Sequence, residues 1–152
     1  MRATRRQVTL GEYVRRRNGV PAGSRGALRN MFHRSFGAGS FAGFWRYWNP
    51  VFGYVLGRYV FSPLRKALPS ALALVATFVV SGVVHDLVST AVRGSVAFLF
   101  TPWFFFHGVG VVLGEATGMD LSRYPWLLRA SVNFTYVLVC LALALIVKSG
   151  LQ

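Results

Sequence analysis

Acidic residues are scarce in this chain of 152 residues, which has four Asp and Glu side chains against seventeen Lys and Arg. Carboxylates so few and so scattered exclude a paired acid/base site. A single cysteine, Cys140, excludes an internal disulfide and lacks metal-ligand spacing, so we expect a small buried apolar side chain there. The sequence also has no glycine-rich phosphate loop and no Gly-x-Ser-x-Gly motif.

Hydrophobic residues make up 54% of the chain, and after Leu68 they are concentrated in long blocks. A surface this small cannot cover such blocks, which are typical of a membrane protein. We predict an all-α membrane protein with about three transmembrane helices, at residues 68–92, 95–116 and 126–147. A helix of about 22 residues reaches roughly 33 Å, enough to cross the apolar core of a bilayer.

The basic residues are unevenly placed, since thirteen of the seventeen lie in residues 1–66. Beside apolar spans, this pattern favours the anionic lipids of the inner leaflet over nucleic acid as the partner. We therefore predict a basic cytoplasmic tail at 1–38, with a short helix over 9–17, followed by a membrane domain at 39–152. The same asymmetry predicts a multi-pass protein of the cytoplasmic (inner) membrane with its N-terminus in the cytoplasm.

Residues 40–63 are rich in aromatic side chains, and Pro50 prevents one continuous helix through them. Tyr and Trp favour the membrane–water interface. We interpret this segment as an interfacial or re-entrant pair of helices on the cytoplasmic side.

Ionisable residues inside a span are costly and are candidates for function. Ser81 and His85 are four residues apart on one helix face, and Gly82 permits close approach of another backbone. A low dielectric favours the neutral imidazole, which can accept a proton as a general base. The alternative is a structural histidine bonded to a neighbouring helix. Asp86 faces about 100° away and either lies near the interface or tunes His85.

The second predicted span carries His107, and Glu115 near its cytoplasmic end is expected among the headgroups. His107 and His85 together suggest a haem pair, because imidazole is a common axial ligand. Their predicted depths differ by about five residues, or roughly 8 Å, which argues against one flat ligand between them.

Two segments together resemble the membrane-bound O-acyltransferase (MBOAT) family, especially its branch similar to wax synthases and sterol or diacylglycerol acyltransferases. They are Phe44-Trp45-Arg46-Tyr47-Trp48-Asn49-Pro50 and Phe78-Val79-Val80-Ser81-Gly82-Val83-Val84-His85. His85 follows Asn49 by 36 positions, a spacing that suits the family. The likeness covers about residues 30–120.

The resemblance implies transfer of a fatty acyl group from a thioester, acyl-CoA, to a hydroxyl of a lipid or small acceptor. His85 is then the general base, Asn49 orients the substrate, and Trp45 and Trp48 shape the site. Ser81 and His107 are added as substrate-binding candidates. The resemblance implies acyl-CoA as co-substrate, and we expect no metal and no other cofactor.

Members of the family are typically several times longer than this chain, so the resemblance is to a short or partial member. Three helices do not easily enclose both substrates, which predicts a homo-oligomer or a larger membrane-protein partner. The alternative is a non-catalytic MBOAT-derived subunit that binds lipid or stabilises a larger membrane complex.

Overall fold

All regular structure is helical in the computed structural model, which describes residues 8–96 and 98–150. Residues 1–7 of the predicted tail and Ala97 of the second predicted span lie outside these ranges. The helices are α1 (Leu10–Asn18), α2 (Ala27–Phe36), α3 (Phe41–Tyr47), α4 (Pro50–Leu56), a π-helical stretch (Gly57–Phe61), α5 (Ser62–Leu64), α6 (Ser70–Arg93), α7 (Phe100–Ala116) and α8 (Trp126–Ser149).

Helix α1 is defined by local capping. The hydroxyl of Thr9 accepts a hydrogen bond from the N–H of Glu12, and the Glu12 carboxylate accepts one from the N–H of Thr9. This reciprocal pair satisfies two donors that a helix start leaves open. Gly19, at φ +83°, ends the helix in the left-handed region. The predicted helix over 9–17 is confirmed with a shift of one residue.

The chain breaks between α3 and α4, where Pro50 was predicted to interrupt a helix. Pro50 is the first residue of α4, a position where its missing N–H costs nothing. Asn49 precedes it with φ +39° and caps α4 through its side chain. Two short helices therefore replace one long one, as the sequence predicted.

Two helices, α6 and α8, are long and apolar enough to span a membrane. Each has 24 residues, with mean hydropathy of 2.0 and 2.3 in their most apolar windows. Only 28% and 17% of those windows is buried within the molecule, unlike the core helix of a soluble protein. Helix α7 has 17 residues and covers about 25 Å, short of the roughly 30 Å of a typical apolar core.

Helices α6 and α7 share the most extensive contact between any two elements that the structure describes. Glycines make this contact possible. A Cβ added at Gly82 would lie 2.6 Å from the carbonyl oxygen of Phe100, and one at Gly108 would lie 3.0 Å from the Cα of Val75. Backbone therefore meets backbone at both places, as expected of small residues between membrane helices.

The aromatic segment supplies the core of the molecule. Phe41 and Phe44 of α3 are 3% and 2% exposed and pack with Ala38 and Val111. Asn133 of α8, also buried, donates from Nδ2 to the carbonyl oxygens of Phe36 and Ala38, both at 2.9 Å. These bonds tie the link between α2 and α3 to α8.

Candidate active site

A cavity of about 400 Å³ lies among α1, α3, α4, α6 and α7. Five of the six predicted site residues line it together: Trp45, Trp48, Asn49, Ser81 and His85. Residues from the aromatic segment and from α6 therefore share one space.

His85 is half-buried on α6, one turn after Ser81. Its Nδ1 lies 2.7 Å from the carbonyl oxygen of Ser81. A carbonyl only accepts, so this hydrogen bond requires a proton on Nδ1, and in the neutral imidazole the lone pair is then on Nε2. Within the described residues, this is the only hydrogen bond of the imidazole.

Three phenylalanines surround the His85 ring. Phe104 stacks on it with ring centroids 4.9 Å apart and 26° between the planes. Phe100 lies at 5.5 Å, and Phe52 meets the ring edge-on at 5.6 Å. The sequence shows the aromatic run that contains Phe104. Which ring of that run faces His85 depends on how α6 and α7 pack.

Asn49 is exposed on the cavity side of the α3–α4 junction. Its Oδ1 accepts the N–H of Phe52 at 3.2 Å and so caps α4. The two hydrogens on Nδ2 have no acceptor within the described residues. The amide therefore offers donors, rather than an acceptor, to a molecule in the cavity.

His107, the sixth predicted residue, does not line this cavity. It is 1% exposed and packs against the rings of Trp45, at 4.8 Å, and Trp103, at 5.3 Å. Neither of its ring nitrogens has a hydrogen-bond partner within the described residues. So enclosed an imidazole has no open face for an iron atom, and the packing therefore argues against the haem pair.

Sequence reasoning missed the contribution of α1, which was assigned to a tail. Tyr13 and Arg17 line the cavity, and the guanidinium of Arg17 lies 5.1 Å from the centre of the Tyr13 ring. Arg46 and Glu115 line it as well. The spacing of Tyr13 and Arg17, four apart on a helix, is the only sequence signal for this pair.

Asp86 faces away from the cavity, and its carboxylate is bonded to the start of α7. Across residues 8–96 and 98–150, no group of three or more His, Cys, Asp or Glu side chains is placed to hold a metal ion.

One family model matches the chain, over residues 17–102, and describes the membrane-bound O-acyltransferase family. This stretch includes Asn49, His85 and the residues of α1, α3 and α4 that line the cavity, except Tyr13. No curated protein and no solved structure matches the chain significantly.

Proposed function

The chain belongs to the membrane-bound O-acyltransferase family, and on that premise we propose that it transfers an acyl group from acyl-CoA to a lipid or small-molecule hydroxyl. The observation that carries this proposal is the shared cavity of Asn49 and His85. Most of its other walls are aromatic or aliphatic, a setting that suits an acyl chain and keeps water from the thioester.

His85 is the general base in this proposal. The bond from Nδ1 to the Ser81 carbonyl supports the role, because it leaves Nε2 to take a proton. The acceptor hydroxyl gives its proton to Nε2, and its oxygen attacks the thioester carbonyl carbon. The carbon–sulfur bond then breaks, and the imidazolium returns the proton to the departing thiolate.

Asn49 holds the thioester carbonyl. Its Oδ1 is already used by the N–H of Phe52, so the Nδ2 hydrogens are what the side chain offers a substrate. Negative charge develops on the carbonyl oxygen during attack, and a fixed donor stabilises that charge. An asparagine can polarise a carbonyl or position a hydroxyl, and we propose the first role here.

Two arginines support a phosphorylated donor. Arg17 and Arg46 line the same cavity as His85 and carry permanent positive charge. The cavity has about 400 Å³, so we propose that it takes the thioester end of acyl-CoA while its phosphates lie beside these arginines. Guanidinium groups suit phosphate oxygens in charge and geometry.

We also propose three spans, with the N-terminus on the cytoplasmic side of the inner membrane. Helix α7 is short but packs against both α6 and α8, the two helices of spanning length. A bilayer accommodates a short helix by thinning locally at modest cost. The basic residues before α6 favour the cytoplasmic side for the N-terminal half.

The test is acyl transfer by purified protein in lipid nanodiscs, measured as the product formed from labelled acyl-CoA. We expect His85→Gln to lower kcat by about 10²-fold or more, because general-base catalysis contributes on that scale. His33→Gln is the matched control, since His33 is exposed and does not line the cavity. Parental turnover in His85→Gln would remove His85 from the reaction. Failure of the parent to turn over a range of acyl donors and acceptors would favour the non-catalytic subunit.

A further inference from the structure

The carboxylate of Asp86 is saturated by hydrogen bonds from the start of α7. Its Oδ1 accepts the N–H of Leu99 at 3.0 Å and of Phe100 at 2.9 Å. Its Oδ2 accepts both the N–H and the hydroxyl of Thr101 at 2.7 Å. Asp86 is 6% exposed. It follows His85 in the sequence, yet its bonds all lead to the next helix.

A helix start needs such an acceptor. The first N–H groups of an α-helix have no partner within the helix, and they carry partial positive charge. Leu99, at the N-cap position of α7, has no side-chain oxygen and makes no capping bond. Asp86 supplies the missing acceptor from another helix, with charge-assisted bonds.

The two helices also touch directly one turn before Asp86. Gly82 lies so close to α7 that an added Cβ would be 2.7 Å from the Cα of Thr101. The first turn of α7 therefore contacts α6 at two positions one turn apart. Its backbone touches Gly82, and its N–H groups bind the carboxylate of Asp86.

Two of the three rings that pack on His85 come from the first turns of α7. Phe100 is bonded to Asp86 through its N–H, and Phe104 lies one turn further along α7. Both rings contact the imidazole, at 5.5 and 4.9 Å between centroids. The packing around the imidazole therefore includes two rings from the first turns of α7.

We propose that Asp86 is a positioning residue for His85, acting through the first turns of α7 rather than as a charge partner of the imidazole. The effect of Asp86 on the reaction rate rests on the proposed acyl transfer. The effect of Asp86 on the position of the His85 imidazole does not depend on that function. Adjacent residues on a helix do not face each other, so the sequence order of His85 and Asp86 does not make them partners.

The experiment records the NMR signals of isotope-labelled histidine side chains in the full chain, held in nanodiscs. The chain has three histidines, and loss of a signal in His85→Gln assigns the His85 imidazole. Two variants are compared with the parent. Asp86→Asn removes the charge and half of the acceptor capacity, while Thr101→Val removes one bond and leaves the charge of Asp86 in place. Asp120→Asn is the control, because Asp120 accepts from Ser122 in a similar way in a loop away from the cavity.

We expect the His85 imidazole signal to move in the same direction in Asp86→Asn and Thr101→Val, since both loosen the stacking of Phe104. Asp120→Asn should leave it in place. We expect kcat to fall by about 10²-fold in Asp86→Asn, because small displacements of a reacting group have effects of that size. A smaller loss is expected in Thr101→Val.

Two results would overturn the proposal. If Thr101→Val leaves the signal and kcat unchanged while Asp86→Asn alters them, Asp86 acts by charge. If neither variant moves the signal, the start of α7 does not position the imidazole. Thr101→Val decides the matter if Asp86→Asn does not fold. Absence of turnover in the parent would contradict the proposed function but leave the imidazole signal as a test of Asp86.

Discussion

Asn49 is the one non-glycine residue with a positive φ within the described ranges, at +39°. Asparagine tolerates this left-handed region better than most residues. Its side-chain oxygen also caps α4. Asn49 thus combines an unusual backbone conformation, a helix cap and the Nδ2 donors. Substitutions at this position can separate the contributions of these three features.

We expect Asn49→Asp to keep the fold and lose the reaction. Aspartate caps a helix as well as asparagine, so thermal unfolding should be close to that of the parent. The Nδ2 donors are replaced by an oxygen that repels the developing charge, and kcat should fall by about 10²-fold or more. Turnover in nanodiscs and an unfolding scan measure the two effects.

Asn49→Gly removes the Nδ2 donors without the negative charge that Asn49→Asp adds. Glycine accepts the positive φ without strain and brings no carboxylate into the cavity. We expect the same direction of change in kcat, with some loss of stability from the missing cap. Full turnover in Asn49→Gly would mean that the amide has no part in the reaction.

At the level of elements, the contact of α6 with α7 decides the geometry of the site. Gly82 lies one turn before Asp86 on α6, and Gly108 lies one turn after Phe104 on α7. Both glycines face the other helix at close range. The close contact brings the rings of α7 within reach of His85.

We expect Gly82→Ala to destabilise the protein by about 1–3 kcal/mol, since overpacking at a tight contact has this size. The added methyl group would meet backbone atoms of Phe100 and Thr101, which cannot rotate away. Gly108→Ala should cost less, because its nearest contacts begin at 3.0 Å. Unfolding in mixed detergent micelles gives the free energies.

Gly114 offers a control on α7, since nothing lies within 4 Å of its added Cβ. Gly114→Ala should be neutral or raise stability by up to about 1 kcal/mol, as alanine favours a helix. Equal stability of Gly82→Ala and Gly114→Ala would contradict the close contact of α6 and α7 at Gly82.

At the scale of the whole molecule, the number of helices that cross the membrane decides the topology. Helices α6 and α8 are long enough to span the membrane. Whether α7 also crosses it decides whether the segments before α6 and after α8 lie on the same side. Three crossings place the two ends on opposite sides of the membrane, and two place them on the same side.

We expect residues 22 and 149 to lie on opposite sides. Ala22→Cys and Ser149→Cys are each introduced into a Cys140→Ser background, which alone should not be labelled. A membrane-impermeant maleimide added to intact cells should react with Ser149→Cys, and with Ala22→Cys only after permeabilisation. Protection of both cysteines in intact cells would contradict three crossings.

Local features could be read directly from the sequence. Thr9 and Glu12 cap α1 from three residues apart, and Pro50 breaks the aromatic segment because its ring excludes a helix interior. The apolar blocks predict α6 and α8, since a span of such length needs only continuous hydrophobicity. The MBOAT resemblance rests on short motifs of the same local kind.

Features that join distant segments depended on tertiary packing. Asn133 donates hydrogen bonds to carbonyls 95 and 97 residues away, and α1 contributes Tyr13 and Arg17 to a cavity whose other lining residues lie in 42–61, α6 and α7. His85 and His107 both stand in apolar helices, and only the rotation of each helix about its axis puts one in the cavity and encloses the other.

The second predicted span shows most clearly what the sequence determines and what the packing determines. Hydrophobicity predicted a helix over 95–116, and the helix begins at Phe100. Apolar character continues through Phe98 and Leu99, so composition marks no boundary there. The boundary coincides with the carboxylate of Asp86, which binds the N–H groups of residues 99–101. Composition determines that a segment enters the membrane, but where its helix starts is decided by the partner that its first N–H groups find.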